Sequence, residues 1–382
     1  MQSAPSPPLA EQLDALPADL RARLDRYGFD RERLIAQSER LKSNLGPEDN
    51  RVHGNVEPPA PGDVGDFPSR GSAEWVRLEA IGMEALRRGE CALVTLAGGM
   101  ATRMGSVVKA LVEALPGRTF LDIRMAELRA LEKRVGRAAP FWFMTSHATE
   151  AGLRAALGQR VDGERIAVFA QRLSLRLTLS GDLYFDAEGK PSEYAPGHGD
   201  LPDALRQSGL LGRFVARGGR AVMVSNLDNL GATLEPMVLG WHLDHGSPVT
   251  CEVVDKVGSD RGGIPVRLDQ RPVVLEEFRL PEGFDPSSVR VFNTNTFMFD
   301  ARALLELDMP WTYFTVKKQL DGVDVVQMER LIGEVTSHLE TRFLRVPRTG
   351  ADSRFLPVKD PQELEQRRPD IEAVARARGI LA

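Results

Sequence analysis

Cysteine is almost missing from this chain of 382 residues, with Cys91 and Cys251 the only two. Each lies in an apolar, strand-like segment, CALVTLA and VTCEVV. They read as buried, inert thiols, and neither a disulfide framework nor a cysteine-based metal site is supported. Long apolar runs are missing too: no stretch approaches the ~18 residues of a membrane span. The opening MQSAPSPPLAEQLDALPADL has neither a basic start nor a hydrophobic stretch, so it does not read as a secretory signal and a cytoplasmic location is expected. There is no basic excess; the net charge is −5. That argues against a general nucleic-acid or membrane-surface binder. Trp and Tyr are scarce, at four each, and no basic stripe accompanies them, which weakens a nucleic-acid role further. Internal repeats are not visible.

What is present is ordinary for a globular chain: 42% hydrophobic and 27% charged residues. The length suits one large α/β domain with attachments, or two domains. Residues 1–10 are rich in Pro and Ser and read as disordered. Leu13, Leu16, Leu20 and Leu24 recur at helical spacing, as do Leu34, Ile35, Leu41 and Leu45 before a stop at Gly46-Pro47. Residues 54–71 hold Pro58, Pro59, Pro61 and Pro68 and read as an extended connector.

From residue 72 the pattern changes. Glu74–Arg88 reads as a helix with Trp75, Leu78, Ile81 and Leu86 on one face. Cys91–Ala97 is continuously apolar, as a strand buried on both faces of a parallel sheet would be. Strand-like runs recur at 141–144, 166–169, 221–225, 249–254 and 297–299, with helix-like segments such as 120–135 and 149–157 between several of them. This alternation predicts an α/β fold with a largely parallel sheet and crossover helices. A last helix-like stretch, 361–378, is mostly charged and reads as a surface helix.

The most informative segment is Leu96-Ala97-Gly98-Gly99-Met100-Ala101-Thr102-Arg103-Met104-Gly105, with Lys109 just beyond. It leaves the first core strand, and ligands of open α/β sheets bind outside the carboxyl ends of strands. Consecutive glycines let backbone N–H groups approach an anion, and Arg103 and Lys109 add positive charge, as a triphosphate requires. A Walker loop is excluded, because Gly105 is followed by Ser106-Val107, and the G-x-G-x-x-G spacing of dinucleotide binders is absent. The plain alternative for the segment is a tight turn with surface cations.

Several further segments make the sequence resemble the UDP-glucose pyrophosphorylase family, in that family's order. They are Gln171; Pro196-Gly197-His198-Gly199-Asp200; Ser225-Asn226-Leu227-Asp228-Asn229-Leu230-Gly231-Ala232; Lys256 with Gly262-Gly263; and Phe292-Asn293-Thr294-Asn295. Lys318-Gln319-Leu320-Asp321-Gly322, Val326-Gln327-Met328-Glu329 and Ser353-Arg354-Phe355-Leu356-Pro357-Val358-Lys359 complete the series. The resemblance runs over roughly residues 72–365. It departs from the family at Ala101, where a loop glycine is usual, and in the short spacer before Lys109, which lacks the usual Pro. The chain ends at Ala382, and the C-terminal β-helix of familiar eukaryotic members has no counterpart, so the resemblance is to a short form.

The resemblance implies a Rossmann-like, GT-A-like nucleotidyltransferase fold: a twisted, mostly parallel sheet flanked by helices, with an N-terminal helical extension. The expected division is an extension and connector over 1–71, a catalytic domain over 72–345 and a tail packing on the core over 346–382. It implies transfer of uridylyl from UTP to glucose 1-phosphate with release of pyrophosphate. Alternatives are another sugar 1-phosphate, such as that of N-acetylglucosamine or galactose, or a catalytically weak homologue that binds nucleotide or sugar phosphate. Expected ligands are UTP, a sugar 1-phosphate and Mg²⁺, with no nucleic acid or membrane, in a monomer or small homo-oligomer.

Site roles follow from the same resemblance. Arg103, Lys109, Lys256 and Lys318 would neutralise phosphates, Lys318 foremost among the last two. Leu96, Ala97, Gly98, Gly99, Gln171 and Gly197 would hold the nucleotide, with Gln171 on the uracil edge. Asp228 would bind the nucleotide's metal, although an Asp after a strand also suits a helix N-cap. His198, Asn226, Glu276, Asn293 and Asn295 would meet the sugar phosphate, with a turn as the alternative for Asn293-Thr294-Asn295. Phe278, Phe292, Phe297 and Phe299 are expected in the core, and His147, His242 and His245 are expected to be structural. Arg354 either reaches the site or anchors the tail.

Overall fold

The computed structural model describes residues 7–43, 50–101, 107–258 and 260–381. Its centre is an eight-stranded sheet. In chain order the strands are β1 (Val64–Asp66), β2 (Cys91–Leu96), β3 (Phe141–Thr145), β4 (Ile166–Ala170), β5 (Ala221–Asn226), β6 (Val249–Asp255), β7 (Val291–Asp300) and β8 (Thr341–Arg345). Across the sheet the order is β1-β8-β6-β7-β5-β2-β3-β4. All pairings are parallel except those of β7, which runs antiparallel to both β5 and β6. This is the mostly parallel α/β sheet expected from the sequence.

The strands form where continuous apolar runs allow burial on both faces. All of Cys91–Leu96 and all of Phe141–Thr145 are buried. Helices cover the sheet and are stopped by local chemistry. Ser72 caps the helix Ala73–Arg88 by accepting from Trp75 N at 3.1 Å, and Gly89 ends it in the left-handed conformation. Thr119 and Asp122 form a reciprocal capping box at the start of Phe120–Val135. The tail joins the same core: Leu356, Val358, Leu364, Ile371 and Val374 are buried in it.

The N-terminal segment differs from its expectation in detail. Of the leucines before residue 26, Leu13 lies on the short helix Leu9–Asp14, Leu20 and Leu24 on Ala18–Arg26, and Leu16 in the turn between them. The two helices part at Pro17, which has no N–H to continue the first helix. The expected stop at Gly46-Pro47 lies outside the described residues. The connector is not wholly extended coil, since β1 pairs with β8 at the sheet edge and Val56–Glu57 pairs with Ile264–Leu268. The helices 9–42 pack in a second apolar cluster: Leu9, Leu13, Leu16, Leu20, Leu24 and Leu34 bury against Leu173, Leu175, Leu177 and Leu183. One phenylalanine assignment fails. Phe292, Phe297 and Phe299 are buried, but Phe278 is 47% exposed. It sits in the short 3₁₀ turn Glu277–Arg279 and meets Phe314 edge to face at 5.3 Å.

Candidate active site

The carboxyl ends of β2, β3, β4 and β5 face one edge of the sheet. After β2 the chain passes to β3 on one side, and β5 lies on the other, so β2 stands at a topological switch point, where α/β sheets open a crevice. A cavity of about 350 Å³ lies there. Its walls include Leu96, Ala97, Gly98 and Gly99 from the end of β2, and Gln171 just past β4. Gly197 and His198 come from the P-G-H-G-D segment, and Asn226 and Asp228 from the end of β5. Lys109 closes one side. Met144, Ala195 and Leu227 also line it, and the sequence had not singled them out.

The glycine turn is tied down from behind. Thr149 Oγ1 donates to Ala97 O at 2.9 Å and Ser146 Oγ to Gly98 O at 2.9 Å. Ala97 N donates to Met144 O at 2.8 Å. The Gly98 and Gly99 N–H groups have no acceptor among the described residues, so the turn offers free donors at the cavity wall. A Cβ at Gly98 would stand 2.3 Å from Gln171 Nε2, so a side chain there would displace the Gln171 amide. Met100–Ala101 then pairs antiparallel with Val107–Val108, which delivers Lys109 back to the cavity. Despite its short spacer, Lys109 makes a very short ion pair with Asp228 Oδ2. Arg103 lies outside the described residues.

Gln171 is 6% exposed, and its Oε1 finds no hydrogen-bond donor among the described residues. A buried amide oxygen left open is costly unless a ligand meets it. Gly197 has φ +98, and a Cβ there would lie 2.9 Å from Arg330 O. Arg330 is fully buried, ion-paired to Asp200 at 2.7 Å, and its backbone N donates to Pro196 O at 2.7 Å. His198 Nδ1 accepts from Ile332 N at 3.1 Å, which leaves the ring proton on Nε2. Burial pushes the His198 pKa down to about 4, so the ring is neutral at physiological pH.

The other expected site residues are distributed more widely. Asn295 Nδ2 donates to Asn226 Oδ1 at 2.9 Å. The segment is a strand, not a turn: antiparallel β7 carries Asn293-Thr294-Asn295 past the end of β5. A register shift opposite Cys251–Val253 and a left-handed Asn295, at φ 56, redirect its side chain. Asn293 Oδ1 turns inward and accepts from Asn295 N at 2.8 Å. Glu276 lies beside Gly263, where a Cβ would come within 2.8 Å of Oε1. Desolvation, with Glu334 and Glu277 nearby, raises its pKa to about 7. Lys256 is held by Pro286 O at 3.1 Å, with Glu277 Oε1 at 4.0 Å. Lys318 is on the three-stranded side sheet, in Phe314–Leu320; it is half exposed and stands 4.0 Å from Glu329 Oε1. Glu276, Asn293, Asn295, Lys256 and Lys318 are not among the walls of the cavity.

Arg354, whose place the sequence left open, is an anchor. It is 1% exposed and bonds both oxygens of Glu252, at 2.8 and 2.5 Å. His242 is buried against Thr250 Oγ1 at 2.9 Å, and His245 stacks on Trp241. His147 meets Tyr27 edge to face. Arg124, Asp200, Glu252 and Arg330 support the site, and the sequence reading gave none of them a role; charged side chains inside apolar helix or turn patterns are the signal that could have found them.

The profile of the family described as UTP–glucose-1-phosphate uridylyltransferase matches residues 76–371. This chain belongs to that family. Among its relatives is the barley (Hordeum vulgare) protein named UTP–glucose-1-phosphate uridylyltransferase, 30% identical over 289 residues, covering 71% of this chain and 60% of the barley one. The Saccharomyces cerevisiae protein of the same name is 30% identical over 294 residues, covering 72% of this chain and 58% of the yeast one. The matched part thus spans about three fifths of these relatives. Solved structures agree on the fold. UDP-glucose phosphorylase from Trypanosoma brucei aligns with a TM-score of 0.74 at 21% identity, over 93% of this chain and 76% of that one. A Leishmania major UDP-glucose pyrophosphorylase mutant, solved with UDP-glucose, aligns with a TM-score of 0.71 at 23% identity, over 93% and 77%. Among the described residues of this family member, no helix is long and apolar enough to cross a membrane.

Proposed function

We propose that this chain transfers uridylyl from UTP to glucose 1-phosphate, forming UDP-glucose and pyrophosphate. The observation that carries this reading is the gathering of three distant motifs around one cavity. Open glycine amides, an unmet buried Gln171 oxygen and the Lys109–Asp228 pair all face it. In the reaction an oxygen of the sugar phosphate bonds to the α-phosphorus of UTP, the bond to the bridging oxygen breaks, and pyrophosphate leaves with that electron pair. The nucleophile is already ionised near neutral pH, since its second pKa is about 6. No base is needed, which agrees with a His198 that stays neutral. The chain's task is to align two anions and balance their charge.

In this reading Gly98, Gly99, Lys109 and Arg103 hold the β- and γ-phosphates, and Leu96 and Ala97 flank the base. Gln171 Oε1 accepts from the uracil N3–H, and Gly197 leaves room for the ring. His198 Nε2, Asn226 and Asn295 meet the sugar phosphate, with Asn293 and Glu276 behind them. Lys256 and Lys318 approach the reacting phosphates when the peripheral sheet and the cavity close on both substrates. Asp228 fits Mg²⁺: it is the carboxylate of the cavity wall, and Mg²⁺ characteristically takes one or two carboxylates plus substrate phosphates. The metal would supply charge neutralisation on the phosphate oxygens. Lys109 then releases Asp228 and turns to phosphate. The division at 71 and 345, a cytoplasmic location and a monomeric or small homo-oligomeric state belong to the same proposal.

Pyrophosphate release tests it, measured with UTP, CTP or TTP against glucose, galactose and N-acetylglucosamine 1-phosphates. Release with UTP and glucose 1-phosphate is the expected result. Another preferred sugar would change the product and keep the nucleotide site; no release with any pair would overturn the proposal.

A further inference from the structure

The segment from Asn226 to Thr233 is neither helix nor strand beyond its first residue, yet most of it is buried. Its carbonyl groups therefore need donors. Arg124, on the helix Phe120–Val135, supplies them and is itself 0% exposed. Its Nε donates to Leu227 O at 3.3 Å. Nη1 donates to Ala232 O at 3.0 Å and to Glu127 Oε2 at 2.8 Å. Nη2 donates to Asn226 O at 2.9 Å and to Asn229 O at 2.7 Å. A guanidinium has five N–H donors in one plane, and here each has an acceptor, four of them carbonyls of this one segment.

We infer that Arg124 is a positioning residue for Asp228, a role that rests on the proposed function only in taking Asp228 as the carboxylate for the metal-bound nucleotide. The guanidinium gathers the carbonyls before and after Asp228 on the side of the segment that faces the helix. The directions in which Asn226 and Asp228 leave the backbone are thereby set toward the cavity. Lys109 steadies the Asp228 carboxylate only while the two are paired. Once a metal–nucleotide complex separates them, the segment itself must hold the carboxylate, and Arg124 is what holds the segment. A lysine cannot replace it, because three donors on one tetrahedral nitrogen do not span four carbonyls in a plane.

The molecule contains its own control. Arg378 grips the far end of the same segment, donating to Gly231 O at 2.6 Å and Thr233 Oγ1 at 2.8 Å, and makes no bond to residues 226–229. Its loss should loosen the packing of the tail without turning Asp228.

The experiment compares wild type, Arg124→Lys and Arg378→Lys as purified full chains. Calorimetry measures UTP affinity with Mg²⁺ and with a chelator, and hydrogen exchange follows the peptides over 226–233 without ligand. For Arg124→Lys the expected result is unchanged UTP affinity in chelator and a ~10–100-fold smaller gain on adding Mg²⁺, as for lost outer-shell partners of a metal ligand. Faster exchange over 226–233, with the rest of β5 still protected, and a matching fall in kcat at nearly constant KM for the sugar phosphate are expected with it. Arg378→Lys should lower thermal stability and keep the Mg²⁺ gain within about threefold. Arg124→Lys with wild-type exchange over 226–233 and a wild-type Mg²⁺ gain overturns the inference, as does an equal loss in Arg378→Lys. If Arg124→Lys does not fold, Arg124→Gln, which has two donors in place of the five-donor fork, is measured the same way, and unchanged exchange over 226–233 there is equally fatal. A wild-type chain that releases no pyrophosphate would defeat the proposed reaction, and the exchange comparison would still decide the role of Arg124.

Discussion

Asp228 and Lys318 were both expected at the chemistry, yet they stand in different kinds of structure. Asp228 follows a central strand, its loop is bound by a buried arginine, and its carboxylate already meets Lys109 in the cavity. Lys318 is on a hairpin of a separate three-stranded sheet, half exposed, with Glu329 as its neighbour at 4.0 Å. In the proposed reading, the nucleotide half of the site is preformed by the core, and the half meant for the attacking phosphate is carried on the periphery. The difference teaches that a core edge can fix donors before any ligand arrives. A peripheral cation acts only in an arrangement that the substrates themselves complete.

Four measurements press on this contrast. The largest effect is expected for Asp228→Asn, which keeps shape and removes charge: kcat should fall by about 10³-fold. A variant with near-normal turnover would remove Asp228 from the preformed half. Lys318→Ala should lower kcat by roughly 100-fold while calorimetry finds UTP affinity unchanged, because the lysine is remote from the nucleotide cavity. If UTP binding weakens instead, Lys318 belongs with the nucleotide and the division into halves is wrong. Gln171→Ala should shrink the preference for UTP over CTP in kcat/KM by about 10–100-fold, since cytosine N3 offers no proton to the Gln171 oxygen. Retained preference would assign base reading elsewhere.

The smallest effect concerns stability. Glu276 is raised from 4.5 to about 7 by burial among other carboxylates. Its contribution is fully present below its unfolded value and is lost as pH rises through about 7. Glu276→Gln should therefore lose less stability than wild type between about pH 5 and about pH 8, by on the order of 2 kcal/mol in urea titrations. Parallel curves would mean that Glu276 is well solvated. His198, lowered to about 4, should leave no step in the activity profile between about pH 6 and about pH 8.

Much of the cavity wall was legible beforehand. Gly98-Gly99, Gln171, Gly197-His198 and Asn226-x-Asp228 lie just past strands or in tight turns, and strand runs announce themselves by continuous apolar residues. Once a parallel sheet is expected, such residues fall at its carboxyl edge. The Asn293-Thr294-Asn295 segment was harder. A bulge with a left-handed asparagine has the same composition as a turn, and only pairing with β5 and β6 separates the two. Phe278 misled for a similar reason: a lone aromatic in a 3₁₀ turn has no periodicity to say which way it faces.

By itself the sequence determined the alternation of strands and helices, the glycine turn and the family. All of these are written in side chains close together along the chain. Tertiary structure alone decided that Lys109 would meet Asp228, 119 residues away, and that Lys318 would not join them. It also decided that Arg124 and Arg330 would be buried with partners of their own rather than solvated. Arg124 meets mostly backbone carbonyls, which every residue possesses, and Arg330 meets the Asp200 and Asp203 carboxylates, more than a hundred residues away; a charge in an apolar pattern can be noticed in the sequence, but its partners cannot. Only the folding of distant segments around one buried guanidinium selects which carbonyls it binds.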